Sequence, residues 1–136
     1  MIRRPMKWSF LGAALAATAA LGAGCGGESD SSFSRADADT VVEVTLRDFV
    51  FEGLPAEIKG GKVFFATTNT GPDDHELEIL KPDGEALGEI PLHGSGQART
   101  LAVRLDPGTY TVQCILKTAK GQVHADLGMT APLVVR

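Results

Sequence analysis

Three side chains near the C-terminus carry donor atoms that a soft metal ion prefers. Cys114, His124 and Met129 supply a thiolate, an imidazole and a thioether, with nine residues between the first two and four between the last two. This mixture of sulfur and nitrogen suits copper better than zinc, magnesium or calcium. A second imidazole must come from another part of the chain, and His75 is the candidate.

The alternation of apolar side chains indicates how these donors could meet. His75 is in phase with the apolar residues of the strand that it begins, and Cys114 with those of the strand that it ends. If the two strands are antiparallel, both side chains point inward at the same end of a sandwich. The loop after Cys114 can bring His124 and Met129 to that end. Two His, one Cys and a distant Met are the ligands of a blue-copper site.

Short strands separated by turn signals account for the rest of the folded part. No helical period is evident, and the pattern predicts an all-β fold, an antiparallel Greek-key β-sandwich of about seven strands. The predicted strands lie around residues 42–46, 62–68, 75–79, 87–92, 101–105, 110–114 and 133–135, with 87–92 as an edge strand.

Residues 1–24 have the pattern of an export signal. Three basic residues precede an apolar run, 8–21, that is too short to span a bilayer comfortably. The segment resembles a bacterial lipoprotein signal, in which the Cys after the cleavage site is acylated, here Cys25. Gly22 stands where that signal has an aliphatic residue, so ordinary secretion remains an alternative. Paired arginines leave both Sec and twin-arginine export open.

The domain organisation follows from composition. Residues 25–39 form a polar, flexible tether, and residues 40–136 form the folded domain. The formal net charge is −4, and loss of the three basic residues of the leader brings it near −7. An acidic domain without basic clusters argues against nucleic-acid binding. We expect a monomer held by its lipid at the outer face of the cell membrane or in the periplasm.

Each donor also has an ordinary structural interpretation. A lone inward Cys is often a small buried hydrophobe, a lone His is often a loop residue, and a Met after Gly often packs in a core. Metal ligation would explain a free thiol in an exported protein, whereas a Cys25–Cys114 disulfide is the rival explanation. His93 fits neither strand pattern and is interpreted as a turn or surface residue.

Three segments together resemble the cupredoxin family. They are TNTGPDDHE (68–76), LDPGTYTVQC (105–114) and HADLGM (124–129). The resemblance implies a type 1 copper site with His75, Cys114 and His124 as equatorial ligands and Met129 as the axial ligand. It also implies that the edge of His124 reaches the surface through an apolar patch, where an unknown redox partner docks. Glu76 stands where carriers of the family often have an Asn that braces the copper loop, and its phase suggests that it faces away from the site.

The function expected from these residues is one-electron transfer by a copper protein that is not an enzyme. Two alternatives remain: a copper carrier or buffer at the cell surface, and a copper-free cupredoxin-like domain with a structural or interaction role. A copper enzyme would need a second metal site, for which only His93 is unassigned.

The lipid anchor can be tested by metabolic labelling with a fatty-acid analogue. We expect the wild-type protein to be labelled and the Cys25→Ser variant to be unlabelled, because the acyl chain would be attached to that thiol. Equal labelling of the two proteins would rule out the anchor and leave ordinary secretion.

Overall fold

The structure, a computed structural model, describes residues 33–136 and contains nine strands in that range. The predictions about the leader, Cys25 and the tether up to residue 32 lie outside the described residues. The strands are β1 (Thr40–Arg47), β2 (Val50–Glu52), β3 (Glu57–Ile58), β4 (Gly61–Asn69), β5 (His75–Leu80), β6 (Ala86–Leu92), β7 (Ala98–Leu105), β8 (Gly108–Gln113) and β9 (Thr130–Val135).

The strands form two sheets that enclose one core, which confirms the predicted β-sandwich. One sheet has the order β2-β1-β4-β7, and the other has the order β3-β9-β8-β5-β6. Five strand pairs are antiparallel. The pairs β1–β4 and β3–β9 are parallel, whereas the sequence predicted an antiparallel sandwich. Parallel neighbours need a crossover connection, and alternation within a strand does not reveal its direction.

The core is built from the inward positions of both sheets. Alternation predicted these positions correctly in β1, β4, β5 and β8, because each of these strands turns one apolar row toward the facing sheet. The largest fully buried side chains of the described residues come from both sheets and include Leu46, Val63, Phe65, Leu77, Ile79, Val112 and Leu133. The ends of β5 and β8 are therefore held by packing on both sides of the sandwich.

The two additional strands, β2 and β3, have three and two residues. They are too short to show alternation, and the Leu54-Pro55 pair between them is typical of a turn or loop. The strand predicted around residues 87–92 is present as β6 and lies at the edge of its sheet.

Ordered structure begins before Thr40, within the segment that was assigned to the tether. Residues Arg35–Asp37 form a 3-10 turn, and the Arg35 side chain pairs with Glu43 at 2.6 Å. The Asp39 carboxylate accepts a hydrogen bond from the backbone N–H of Lys62 at 2.8 Å. Among the described residues, none of the helical segments is long and apolar enough to cross a membrane.

Candidate metal centre

His75 and Cys114 meet at one end of the second sheet. His75 is the first residue of β5, and Cys114 follows the last residue of β8. The two strands are antiparallel neighbours, with Glu78 opposite Gln113. Because the strands run in opposite directions, the start of β5 lies beside the end of β8. Both side chains point inward and are 0% exposed, as their phase predicted.

Backbone hydrogen bonds fold the segment after Cys114 back onto the same end. The N–H of Cys114 donates to the carbonyl of Met129 at 3.0 Å, and the N–H of Met129 donates to the carbonyl of His124 at 3.0 Å. The carbonyl of Cys114 accepts from the N–H of Ala125 at 2.8 Å. A 3-10 turn after His124 ends at Gly128, whose φ of 112° favours glycine. The three loop residues predicted as ligands are therefore fixed relative to one another.

The donor atoms of His75, Cys114 and His124 lie within 4.8 Å of one another. The two Nδ1 atoms are 3.2 Å apart, and the Cys114 Sγ is 3.4 Å from Nδ1 of His124. His124 is 1% exposed, so all three side chains are buried. Three donors at this spacing can be shared by one metal ion, because ligands of one ion are separated by distances of this order.

Burial opposes charge on two members of the cluster, Cys114 and His124, when no metal is bound. Burial raises the pKa of the Cys114 thiol, although the backbone N–H groups of Glu76 and Leu116 act in the opposite direction. Burial also lowers the pKa of His124, and the nearby His75 lowers it further. A metal cation would reverse the effect on the thiol, because it takes the place of the thiol proton, and it would bind His124 in the neutral form that burial already favours.

Met129, the predicted axial ligand, is 0% exposed and belongs to the same buried cluster as Cys114. Its backbone bonds to both Cys114 and His124 place it beside the three donors. The structure therefore brings all four predicted ligand residues to one end of the sandwich.

Glu76 lies on the face of β5 opposite His75, as its phase suggested, but this face is not open to solvent at that position. It is 5% exposed, and its Oε1 accepts a hydrogen bond from the N–H of Ile115 at 3.0 Å. Its own N–H points to the Cys114 Sγ at 3.4 Å. Burial raises the pKa of this carboxyl group, and the N–H of Ile115 partly offsets that effect. The segment after Cys114 covers this face, and the Glu76 carboxylate braces that segment through its hydrogen bond with the N–H of Ile115.

His124 also differs from the expectation based on the resemblance. Its ring does not reach the surface: its Nε2 is buried and has no hydrogen-bond partner among the described residues. The ring of Phe49 packs against it in a T-shaped arrangement, with centroids 5.1 Å apart. The β1–β2 turn, which alternation did not connect with the site, therefore supplies one of the side chains packed against His124.

Two further polar residues support His75: Asn69, which belongs to the TNTGPDDHE segment that resembles the family, and Asp48, which was not singled out from the sequence. Asn69 is buried, and its Nδ2 donates to the carbonyl groups of Asp73 and Gly94 at 2.8 and 3.1 Å, which fixes the loop before His75. Asp48 Oδ1 lies 3.4 Å from Nε2 of His75. Asp48 and His75 are 27 residues apart in the sequence, so their proximity becomes evident only from the packing of the turn that contains Asp48. His93 lies on the surface beside Asp74, as expected.

Binding to one copper ion would satisfy these donor atoms better than the hydrogen bonds that they can form with one another. Two imidazole nitrogens and a thiol at contact distance can form one hydrogen bond between them, whereas the opposite ring nitrogens are buried and have no hydrogen-bond partner among the described residues. If the Nδ1 atoms bind a metal, each Nε2 carries the proton, and Asp48 lies near the one on His75. Two imidazoles and a thiolate are the trigonal donor set of blue-copper sites.

Comparison with sequences is silent about this chain: no protein-family model matches it, and no curated protein sequence is significantly similar. Solved structures do match. Reduced auracyanin from the photosynthetic bacterium Roseiflexus castenholzii superposes with a TM-score of 0.57 at 17% identity, covering 73% of this chain and 98% of that one. Auracyanin A of Chloroflexus aurantiacus, a "blue" copper protein, gives 0.55 at 15% identity, covering 71% and 98%.

Copper enzymes share the same architecture in one part of their chains. The copper-containing nitrite reductase of Thermus scotoductus matches with a TM-score of 0.52 at 14% identity, over 73% of this chain but 31% of the enzyme. The matched solved structures and the buried cluster of donors lead to one conclusion. The chain has the cupredoxin fold, and its His75–Cys114–His124 cluster is suited to a type 1 copper ion.

Proposed function

We propose that this protein is a one-electron carrier that holds a type 1 copper ion through His75, Cys114 and His124, with Met129 as the axial ligand. The observation that carries the proposal is the buried group of three donors within 4.8 Å. Bound copper would supply the Cu(II)/Cu(I) couple. The likeness to auracyanins, one of which is described as a blue copper protein, supports the same function.

The residues around the donors favour electron transfer over copper storage. The strand ends and the backbone bonds of the Cys114–Met129 loop fix the ligands before any metal binds. A site with fixed ligands changes its geometry little between two oxidation states, and this lowers the reorganisation energy of each electron transfer. A buffer needs ligands that open easily to release the ion, and the donor atoms here are closed off from solvent.

Apolar side chains around the site support weak docking of a redox partner there. The described part of the chain has four exposed large hydrophobic residues, and three of them lie close to the site in sequence. Val50 follows Phe49, Ile115 follows Cys114, and Leu127 lies in the Cys114–Met129 loop, and their exposures are 45, 47 and 37%. Redox encounters bury small surfaces and are short-lived. The acidic chain favours a partner with a basic face. Docking near His124 therefore remains our proposal, although the imidazole itself is covered.

We do not propose an enzyme. Within residues 33–136, the His75–Cys114–His124 group is the one cluster of three such side chains that could hold a metal ion. The nitrite reductase match leaves about two thirds of that enzyme without a counterpart in this chain. We further propose export and anchoring through Cys25, on the strength of the leader pattern alone.

A copper buffer is the second candidate. It would use the same donors, and the fully buried thiol speaks against it because release of the ion would require the loop to open. Fast removal of copper by a chelator would favour the buffer.

The visible spectrum of the purified protein with added Cu(II) tests the ligand set. We expect an intense thiolate-to-copper band that Cys114→Ser abolishes, because the thiolate is the donor of that transition. His75→Ala and His124→Ala should weaken or shift the band, and Met129→Leu should keep the colour and raise the reduction potential.

His93→Ala is the matched control for the two His variants. Its side chain is 63% exposed and lies outside the cluster, so the spectrum should not change. A wild-type protein that is fully loaded with copper but colourless would refute the type 1 assignment.

The role of Glu76 as a brace gives a separate prediction for the copper-loaded protein at pH 8. Glu76→Gln keeps an acceptor for the N–H of Ile115 but removes the charge. The reduction potential should therefore rise, because a nearby anion favours Cu(II). Glu76→Ala should in addition perturb the visible band, because the loop after Cys114 loses its anchor.

Glu89→Gln removes a charge from the exposed face of the same sheet and serves as the control, with a smaller expected shift. If the Gln and Ala variants of Glu76 have identical spectra and potentials, the hydrogen bond to Ile115 has no role in the site.

A further inference from the structure

The turn between β1 and β2 holds a phenylalanine in an unusual conformation. Arg47 pairs with Val50, so the turn consists of Asp48 and Phe49 alone. Phe49 has a φ of 63° and is the one non-glycine residue with positive φ among the described residues. Glycine, Asn or Asp normally takes such a position, because a side chain crowds the backbone there. A bulky residue persists in this region when its surroundings hold it, and such outliers concentrate at functional sites.

The ring of Phe49 lies between His124 and the exterior. The two ring centroids are 5.1 Å apart and the rings are inclined by 74°, an edge-to-face contact. Phe49 is half-buried, whereas His124 is 1% exposed and its buried Nε2 has no hydrogen-bond partner within residues 33–136. The phenylalanine therefore presents part of its own surface to solvent while its ring packs against a covered imidazole.

The same turn is also seated against the other imidazole. Asp48 Oδ1 lies 3.4 Å from Nε2 of His75. Gly71 packs closely here: a Cβ on it would lie 2.8 Å from Asp48 Oδ1 and 3.0 Å from Nε2 of His75. The N–H of Thr70 donates to the carbonyl of Leu46 at 2.9 Å, which ties the loop before His75 to the end of β1. These contacts fix the turn and, with it, the position of the Phe49 ring.

We propose that Phe49 is the cover of the metal centre and controls access of solvent and small molecules to His124. Its part in electron transfer rests on the function proposed above, but the cover itself is present without copper. Glycine would satisfy the backbone of the turn better, so the side chain at this position serves its contact with His124. A redox partner would meet the ring of Phe49 rather than the imidazole edge.

Chemical modification of the metal-free protein by diethyl pyrocarbonate tests the cover directly, with each His peptide followed by mass spectrometry. Exposed His93 is the internal standard for fast modification, and buried His75 the standard for slow modification. In the wild type we expect His124 to react as slowly as His75. In Phe49→Gly its rate should approach that of His93, and in Phe49→Leu it should stay low because a bulky side chain remains.

Two controls separate the cover from loss of stability. Phe49→Gly suits the backbone conformation of the turn, so it should fold, and its unfolding midpoint is measured alongside. Phe64→Ala removes a half-buried ring from β4. This ring has no described contact with His124, so the variant should leave His124 protected. Equal protection of His124 in the wild type and Phe49→Gly, or equal exposure in Phe49→Gly and Phe64→Ala, would overturn the proposal.

The copper-loaded protein separates the cover from the proposed function. An intact thiolate band in the wild type and in Phe49→Gly, together with equal protection of His124 in the two metal-free proteins, would contradict the cover and leave the proposed function standing. A colourless wild type with normal protection of His124 would contradict the proposed function and leave the cover standing.

Discussion

The structure depends on burying two imidazoles and a thiol at contact distance. Such a group is costly in a β-sandwich core, because burial opposes charge on Cys114 and His124 and two ring nitrogens have no hydrogen-bond partner in the part of the chain that the structure describes. The surrounding elements hold the donors together in spite of this cost. A metal ion that binds all three at once removes the conflict, and binding energy of this kind also stabilises the folded state.

Rigid strands and a hydrogen-bonded loop divide the task of holding the donors. His75 and Cys114 are fixed by the antiparallel pairing of β5 with β8, whereas His124 and Met129 are fixed by backbone bonds to Cys114. Glu76 connects the two parts, because it follows His75 and accepts from the N–H after Cys114. The arrangement explains how a site made from distant segments can be formed before the metal arrives, as a carrier with small structural change requires.

Period-two alternation predicted the inward positions and the meeting of His75 with Cys114, because both depend on the phase of single strands. It could not predict what covers the outside of those strands. Glu76 looked solvent-facing by phase, yet the chain after Cys114 buries it. Phe49 lies in a two-residue turn with no period to read, and its contact with His124 depends on how that turn packs. The short strands β2 and β3 and the parallel pairs escaped prediction because they are set by tertiary packing.

Two functions can be compared for the proposed copper site: an electron carrier whose ligands stay closed around the ion, and a copper buffer whose ligands open to release it. Electron self-exchange, measured by NMR line broadening in mixed Cu(I)/Cu(II) samples, separates these possibilities without knowledge of the partner. The carrier account predicts fast self-exchange together with copper that a chelator removes slowly, because the ligands are preformed and closed off. Slow self-exchange accompanied by rapid loss of copper would contradict it and identify the site as a buffer.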